Sequence, residues 1–228
     1  MREYKVQGGT IAAGEKHENK NSYAFLQENG YTAISVSDPG ENNSAVGSSI
    51  SAATSVEEAL DSLISGLTVE ESLRRSFNIA RDILLNRDDV EDLGCSLSLA
   101  LITPHSWGVG IIGDSFAVVS QSVDEHSLIC AEESSGVRTA LLTDEIFTPF
   151  FDVQESDPIA VSVGTRGLMK TATPKNGDNT HKLLESFWNS VINQSVSGDL
   201  DVERFLECVK DEGRLSQDTS LIIASKSL

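Results

Sequence analysis

Basic side chains, cysteines and histidines are scarce in this sequence, and each scarcity removes a class of function. Seventeen Lys and Arg stand against thirty-five Asp and Glu, for a formal net charge of -18. A field of that sign repels polyphosphates and anionic lipid, so no nucleic-acid partner and no membrane partner is expected. Cys95, Cys130 and Cys208 are odd in number and share no Cys-x-x-Cys spacing. That pattern argues against a disulfide framework or a zinc knuckle, suits a reducing compartment, and reads as three small core residues. His17, His105, His126 and His181 are too scattered for a metal cluster and read as surface or hydrogen-bonded side chains. No eighteen apolar residues run together, and the first nine residues carry charges without the apolar centre of a leader. A cytoplasmic protein is the expectation.

What is present is ordinary globular material: 39% hydrophobic and 23% charged residues, without repeats or low-complexity tracts. The length suits one domain over 1–228. Residues 4–13, 23–27 and 31–37 read as three strands, expected to pair as a meander around the turn Glu28-Asn29-Gly30. A helix is expected over 45–64. A second is opened at Thr68, which forms a capping-box pattern with Glu71. Val69, Leu73, Phe77, Ala80 and Leu84 then repeat at helical spacing, as a core-facing stripe does. From Gly94 the period falls to two, with Leu97, Leu99 and Leu101 alternating against smaller neighbours. Strands follow at 107–112, 116–120, 127–131, 139–142 and 159–163, helices at 181–196 and 202–209, and a strand at 220–224. This order implies an α+β fold of two stacked antiparallel β-sheets flanked by helix pairs, an α-β-β-α sandwich.

Four loops at strand ends combine Asp, Gly and small residues, the materials of oxygen-ligand metal sites. They are Ser37-Asp38-Pro39-Gly40, Gly113-Asp114-Ser115, Gly164-Thr165-Arg166-Gly167 and Ser216-Gln217-Asp218-Thr219. Each alone is also an ordinary turn former. Together with Gly14, His17, Asn21-Ser22-Tyr23-Ala24, Gly94-Cys95-Ser96-Leu97 and Leu142-Thr143-Asp144, they form a collinear set over nearly the whole chain. The set resembles the type 2C family of metal-dependent Ser/Thr protein phosphatases, in its divergent bacterial branch. The resemblance implies a two-sheet sandwich with helix pairs, and two Mg or Mn ions held by acidic side chains and a Gly carbonyl.

The departures from that pattern decide the expected function. Ser22 and Tyr23 stand where the family has an acidic pair, Pro39 where it has the carbonyl-bearing Gly, and Arg166 where it has a metal-binding Asp. An ungapped reading puts Gln217 at the last ligand, and a shift of one residue restores Asp218. The vestigial site is therefore Asp38, Pro39, Asp114 and Asp218, with His17 as the candidate phosphate-binding residue. Arg166 is expected to turn inward and pair with Asp38, Asp114 or both, because neighbouring carboxylates need a cation. The resulting expectation is a pseudophosphatase that binds no metal tightly and acts as a regulatory module for a protein partner, a kinase or phosphoprotein. The alternative is an active metal-dependent Ser/Thr phosphatase with weakly held Mg or Mn, recruiting Asp218, Asp144, Glu145 or Asp178. A third reading takes Gly8-Gly9-Thr10 for the junction of an N-terminal-nucleophile hydrolase.

Overall fold

The computed structural model describes residues 3–12, 18–40, 43–130, 141–175, 181–215 and 217–227. Its strands are β1 (Tyr4–Ile11), β2 (Ser22–Glu28), β3 (Tyr31–Pro39), β4 (Cys95–Ile102), β5 (Trp107–Ile112), β6 (Phe116–Ser120), β7 (His126–Cys130), β8 (Phe150–Gln154), β9 (Ala160–Gly164) and β10 (Thr219–Lys226). The helices are α1 (Ala45–Ile64), α2 (Val69–Leu85), α3 (Arg166–Ala172), α4 (Glu185–Ser197) and α5 (Val202–Asp211). One sheet runs β1-β10-β9-β6-β7 and the other β2-β3-β4-β5-β8, and every pairing in both is antiparallel.

Alternation along the strands divides the interior into three layers. Ile34, Val36, Val109, Ile111, Val161, Val163 and Ile222 meet between the sheets. Leu97, Leu99 and Leu101 point the other way, onto the face that α1 and α2 cover through Leu60, Leu73 and Phe77. On the outer face of the second sheet, Leu221 and Ile223 pack under Trp188, Val191 and Leu206 of α4 and α5. β4 and β10 are buried along their whole length and on both faces, with small serines interleaved among their apolar residues. The Thr68–Glu71 capping box forms with both hydrogen bonds present, and all five residues of the α2 stripe are buried.

Several expectations need correction. β1 does not join a meander with β2 and β3; it pairs with β10 in the opposite sheet. Leu141 and Leu142, expected within a strand, lie in a loop instead. Leu142 N–H bonds the Cys95 carbonyl at 2.9 Å, and Leu141 N–H bonds the Asp144 carboxylate at 2.8 Å. The rest of that expected strand lies outside the described residues. β8 was not anticipated, nor was α3. α4 begins at Glu185 rather than 181, because the Lys182 and Leu184 N–H groups bond the Pro174 and Ala172 carbonyls. Of the cysteines, Cys95 alone is a core residue; Cys130 is half-buried and Cys208 is exposed.

Candidate functional site

The antiparallel register brings four chain segments to one end of the sandwich. Asp38 stands near the end of β3, Asp114 in the turn between β5 and β6, Arg166 at the start of α3 after β9, and Asp218 just before β10. The β5–β6 turn carries the chain from one sheet to the other, through Gly113 at φ 90°.

Arg166 is fixed by its neighbours on both sides. Thr165 is fully buried; its N–H donates to the Ser220 carbonyl at 3.0 Å, and its hydroxyl oxygen accepts from Ser220 N–H at 2.9 Å and Asn21 Nδ2 at 3.1 Å. A Cβ at Gly167 would lie 2.1 Å from Thr219 Oγ1 and 2.4 Å from the Asp218 carbonyl oxygen, so only glycine fits there. Held between these anchors, Arg166 Nη1 donates to Asp114 Oδ2 at 2.6 Å. The side chains are 44% and 17% exposed, so this is a pair at the mouth of the site rather than in its depth. Asp114 Oδ1 and Ser115 Oγ are buried beside it without a partner among the described residues.

Asp38 does not bond Arg166, yet it feels the whole group. Burial pushes its carboxyl up to about 7, the charges of Asp218 and Asp114 push the same way, and Arg166 opposes them. Asp218, not Gln217, therefore brings its charge to Asp38, and Asp218 Oδ2 also accepts from Lys20 N–H at 3.2 Å. Gln217 offers its backbone instead, its carbonyl accepting from Thr219 Oγ1 at 3.0 Å. Pro39 ends β3 opposite Cys95 in the ladder. Among the described residues, no group of three or more His, Cys, Asp or Glu is arranged to hold a metal ion.

The substituted acidic pair is spread over other tasks. Ser22 Oγ meets Ser48 Oγ of α1 at 3.4 Å. Tyr23 packs against the inter-sheet core, in space that Gly8 leaves open: a Cβ there would come within 2.8 Å of the ring. Gly9 lies as closely under Glu203 of α5: a Cβ there would come within 2.9 Å of the Glu203 amide nitrogen. The glycine pair thus serves close approach on both faces of β1. Thr10 sits inside β1 with its hydroxyl 2.7 Å from Ser220 Oγ, which leaves the nucleophile reading without support. Asp144 accepts the Leu141 N–H, while Glu145 is exposed. His17 and Asp178 lie outside the described residues. The hydrogen-bonding roles of Lys20, Asn21 and Ser220 had no expectation attached. Asn21 and Ser220 are buried polar residues, and that burial has no counterpart in the sequence.

No protein-family model matches this chain, and no curated protein matches it. Solved structures do. A bacterial serine phosphatase superposes with a TM-score of 0.69 at 14% identity, over 98% of each chain. Serine/threonine phosphatase Stp1 from Staphylococcus aureus gives 0.66 at 11%, over 100% of this chain and 98% of that one. A structure described with the bacterial stressosome, a modular system adapted to control secondary messenger signalling, gives 0.65 at 13%, over 97% and 99%. At such identities the likeness shows the fold, and the fold is that of the type 2C-like bacterial Ser/Thr phosphatases.

Proposed function

We propose that this chain is a pseudophosphatase, a phosphatase-fold module that binds and regulates a protein partner, a kinase or phosphoprotein, without hydrolysing phosphate. The observation that carries the reading is the Arg166 guanidinium bonded to Asp114 beside Asp38 and Asp218. Two divalent ions in such a fold would activate a water and clamp the phosphoryl group. A site for them needs several ionised carboxylates with free oxygens. Here one oxygen of Asp114 is taken by a guanidinium and one of Asp218 by an amide N–H, and the Arg166 charge also acts on Asp38. Ser22 and Tyr23 supply no charge. At ~5 Å and an effective dielectric near 20, a guanidinium opposes each unit of ionic charge by about 3 kcal/mol before solvent screening. These residues do not fit a pair of divalent ions, and no hydrolytic step is assigned to them. The fold likeness to a stressosome-associated protein as well as to phosphatases supports a regulatory role.

The second reading, an active phosphatase with a rearranged site, draws on one observation: Asp38, Asp114 and Asp218 still interact as three carboxylates. Calorimetric titration with Mn and Mg, run beside hydrolysis of an aryl phosphate, separates the two. The expected result is no saturable heat from either ion and hydrolysis at background. Two equivalents of bound Mn with metal-dependent turnover would establish the second reading instead.

A further inference from the structure

At the other end of the sandwich a cavity of about 590 Å³ lies against the ends of both sheets. β3 connects the two ends: Tyr31 lines the cavity, and Asp38 follows it along the strand by roughly 23 Å at 3.3 Å per residue. The volume is that of a small-molecule site. Its walls come from the start of β1, the β2–β3 turn, the loop after β4, the segment before β9 and the end of β10. Gln27 Nε2 donates to the Tyr4 carbonyl at 2.8 Å and to Thr32 Oγ1 at 3.1 Å, which ties one sheet to the other across this end. The cavity is therefore braced.

Its charges point one way. Glu3, Glu28 and Asp157 line it, and Lys226 is the single cation among the described lining residues. Lys226 is only 8% exposed; its ammonium bonds the Asp157 carboxylate and lies 5.1 Å from the centre of the Tyr4 ring. The wall thus already holds one ammonium by the two means that suit it, a carboxylate and an aromatic face. With Asp157 neutralised by Lys226, the charges of Glu3 and Glu28 have no basic side chain among the described lining residues to answer them. An anion would have to displace Asp157 from Lys226, pass two further carboxylates and enter against a net charge of -18. A cation meets none of these obstacles.

We propose that this cavity binds an organic cation through an ammonium or guanidinium group, carried by a free polyamine or by a basic side chain of a peptide. The site is independent of the carboxylate cluster and of the function proposed for it. Calorimetry on the intact chain at low and physiological salt tests it with three probes: spermidine, a short Arg- and Lys-containing peptide, and citrate. One equivalent of spermidine or peptide binds; binding of the peptide alone identifies a protein as the source, and binding of spermidine shows that a free polyamine suffices. Affinity drops by roughly tenfold in Glu3→Gln/Glu28→Gln, which removes two of the lining charges. It is unchanged in Glu207→Gln/Asp211→Asn, a charge-matched control on α5, and in Arg166→Ala. Equal losses in the α5 control would reduce the effect to general counter-ion association and overturn the site. So would tighter binding of citrate, or no binding of either cationic probe.

Discussion

Replacing Arg166 by Ala removes the cation from a group of three acids. The consequence can be bounded from the exposures of the pair. Breaking one end of a fully buried ion pair costs about 3–5 kcal/mol, whereas an exposed pair is worth roughly 0–1. Asp114 is 17% and Arg166 44% exposed, which places the loss between these limits, at about 1–3 kcal/mol. For a chain of this size that corresponds to a fall in melting temperature of roughly 2–6 °C. Asp38 makes the loss depend on pH. Arg166 lowers the Asp38 pKa, so the variant holds its Asp38 proton to higher pH than the parent does. Below neutrality the proton takes over part of the lost neutralisation, and above it the carboxylates face one another. Thermal melts at pH 6 and pH 8 are therefore expected to show the larger deficit at pH 8. Arg166→Asp should be less stable still without metal, yet gain Mn affinity, seen as a melting temperature that rises with Mn concentration. If Arg166→Ala melted like the parent at both pH values, and Arg166→Asp ignored Mn, the guanidinium would not be the partner of these carboxylates in solution.

Two further outcomes test the neighbouring arguments. A carboxyl raised from 3.8 to about 7 in the folded state favours folding at low pH; that contribution is complete below 3.8 and is lost as pH rises through 7, by about 4 kcal/mol at most. Urea titrations between pH 4 and 8 should show the parent losing this increment while Asp38→Asn does not; parallel curves would mean that Asp38 titrates normally. Thr68→Ala, which deletes the capping box at the start of α2, should lower stability by about 1 kcal/mol in the same assay, with no effect on the pH dependence.

How far the sequence discloses the fold depends on how local each signal is. α1 and the start of α2 are set by neighbours within a turn or two, and the expected bounds of α1 match the structure. β1 failed because nothing local distinguishes pairing with β2 from pairing with β10, more than two hundred residues away. β8 was missed for a related reason. Phe150-Phe151-Asp152-Val153-Gln154 is an edge strand whose side chains are half-buried or exposed, so it lacks the alternation that marks a strand with one covered face. Leu141-Leu142 misled in the opposite direction. These residues are apolar because they are buried, but their backbone bonds are those of a loop closing over Cys95.

The site divides in the same way. That Asp38, Asp114, Arg166 and residues 217–218 meet was legible, because the first three close or follow a strand, the last lead into one, and strand ends in a two-sheet sandwich gather at its rims. Whether a carboxylate or an amide faces the group was not legible, because the choice between Asp218 and Gln217 is a shift of one residue at the entry to β10. The structure makes it through the packing of Gly167 against the backbone of both. Nor could the sequence show that Arg166 would bond Asp114 and leave Asp38 to burial. That outcome follows from where Thr165 and Gly167 hold the first turn of α3. The three acids are treated differently: Asp114 is bonded to a guanidinium, Asp218 accepts an amide N–H, and burial pushes the Asp38 carboxyl up to about 7. The Asp38 shift records what remains: Asp218 and Asp114 still raise it against the opposing charge of Arg166, so the group is only partly neutralised.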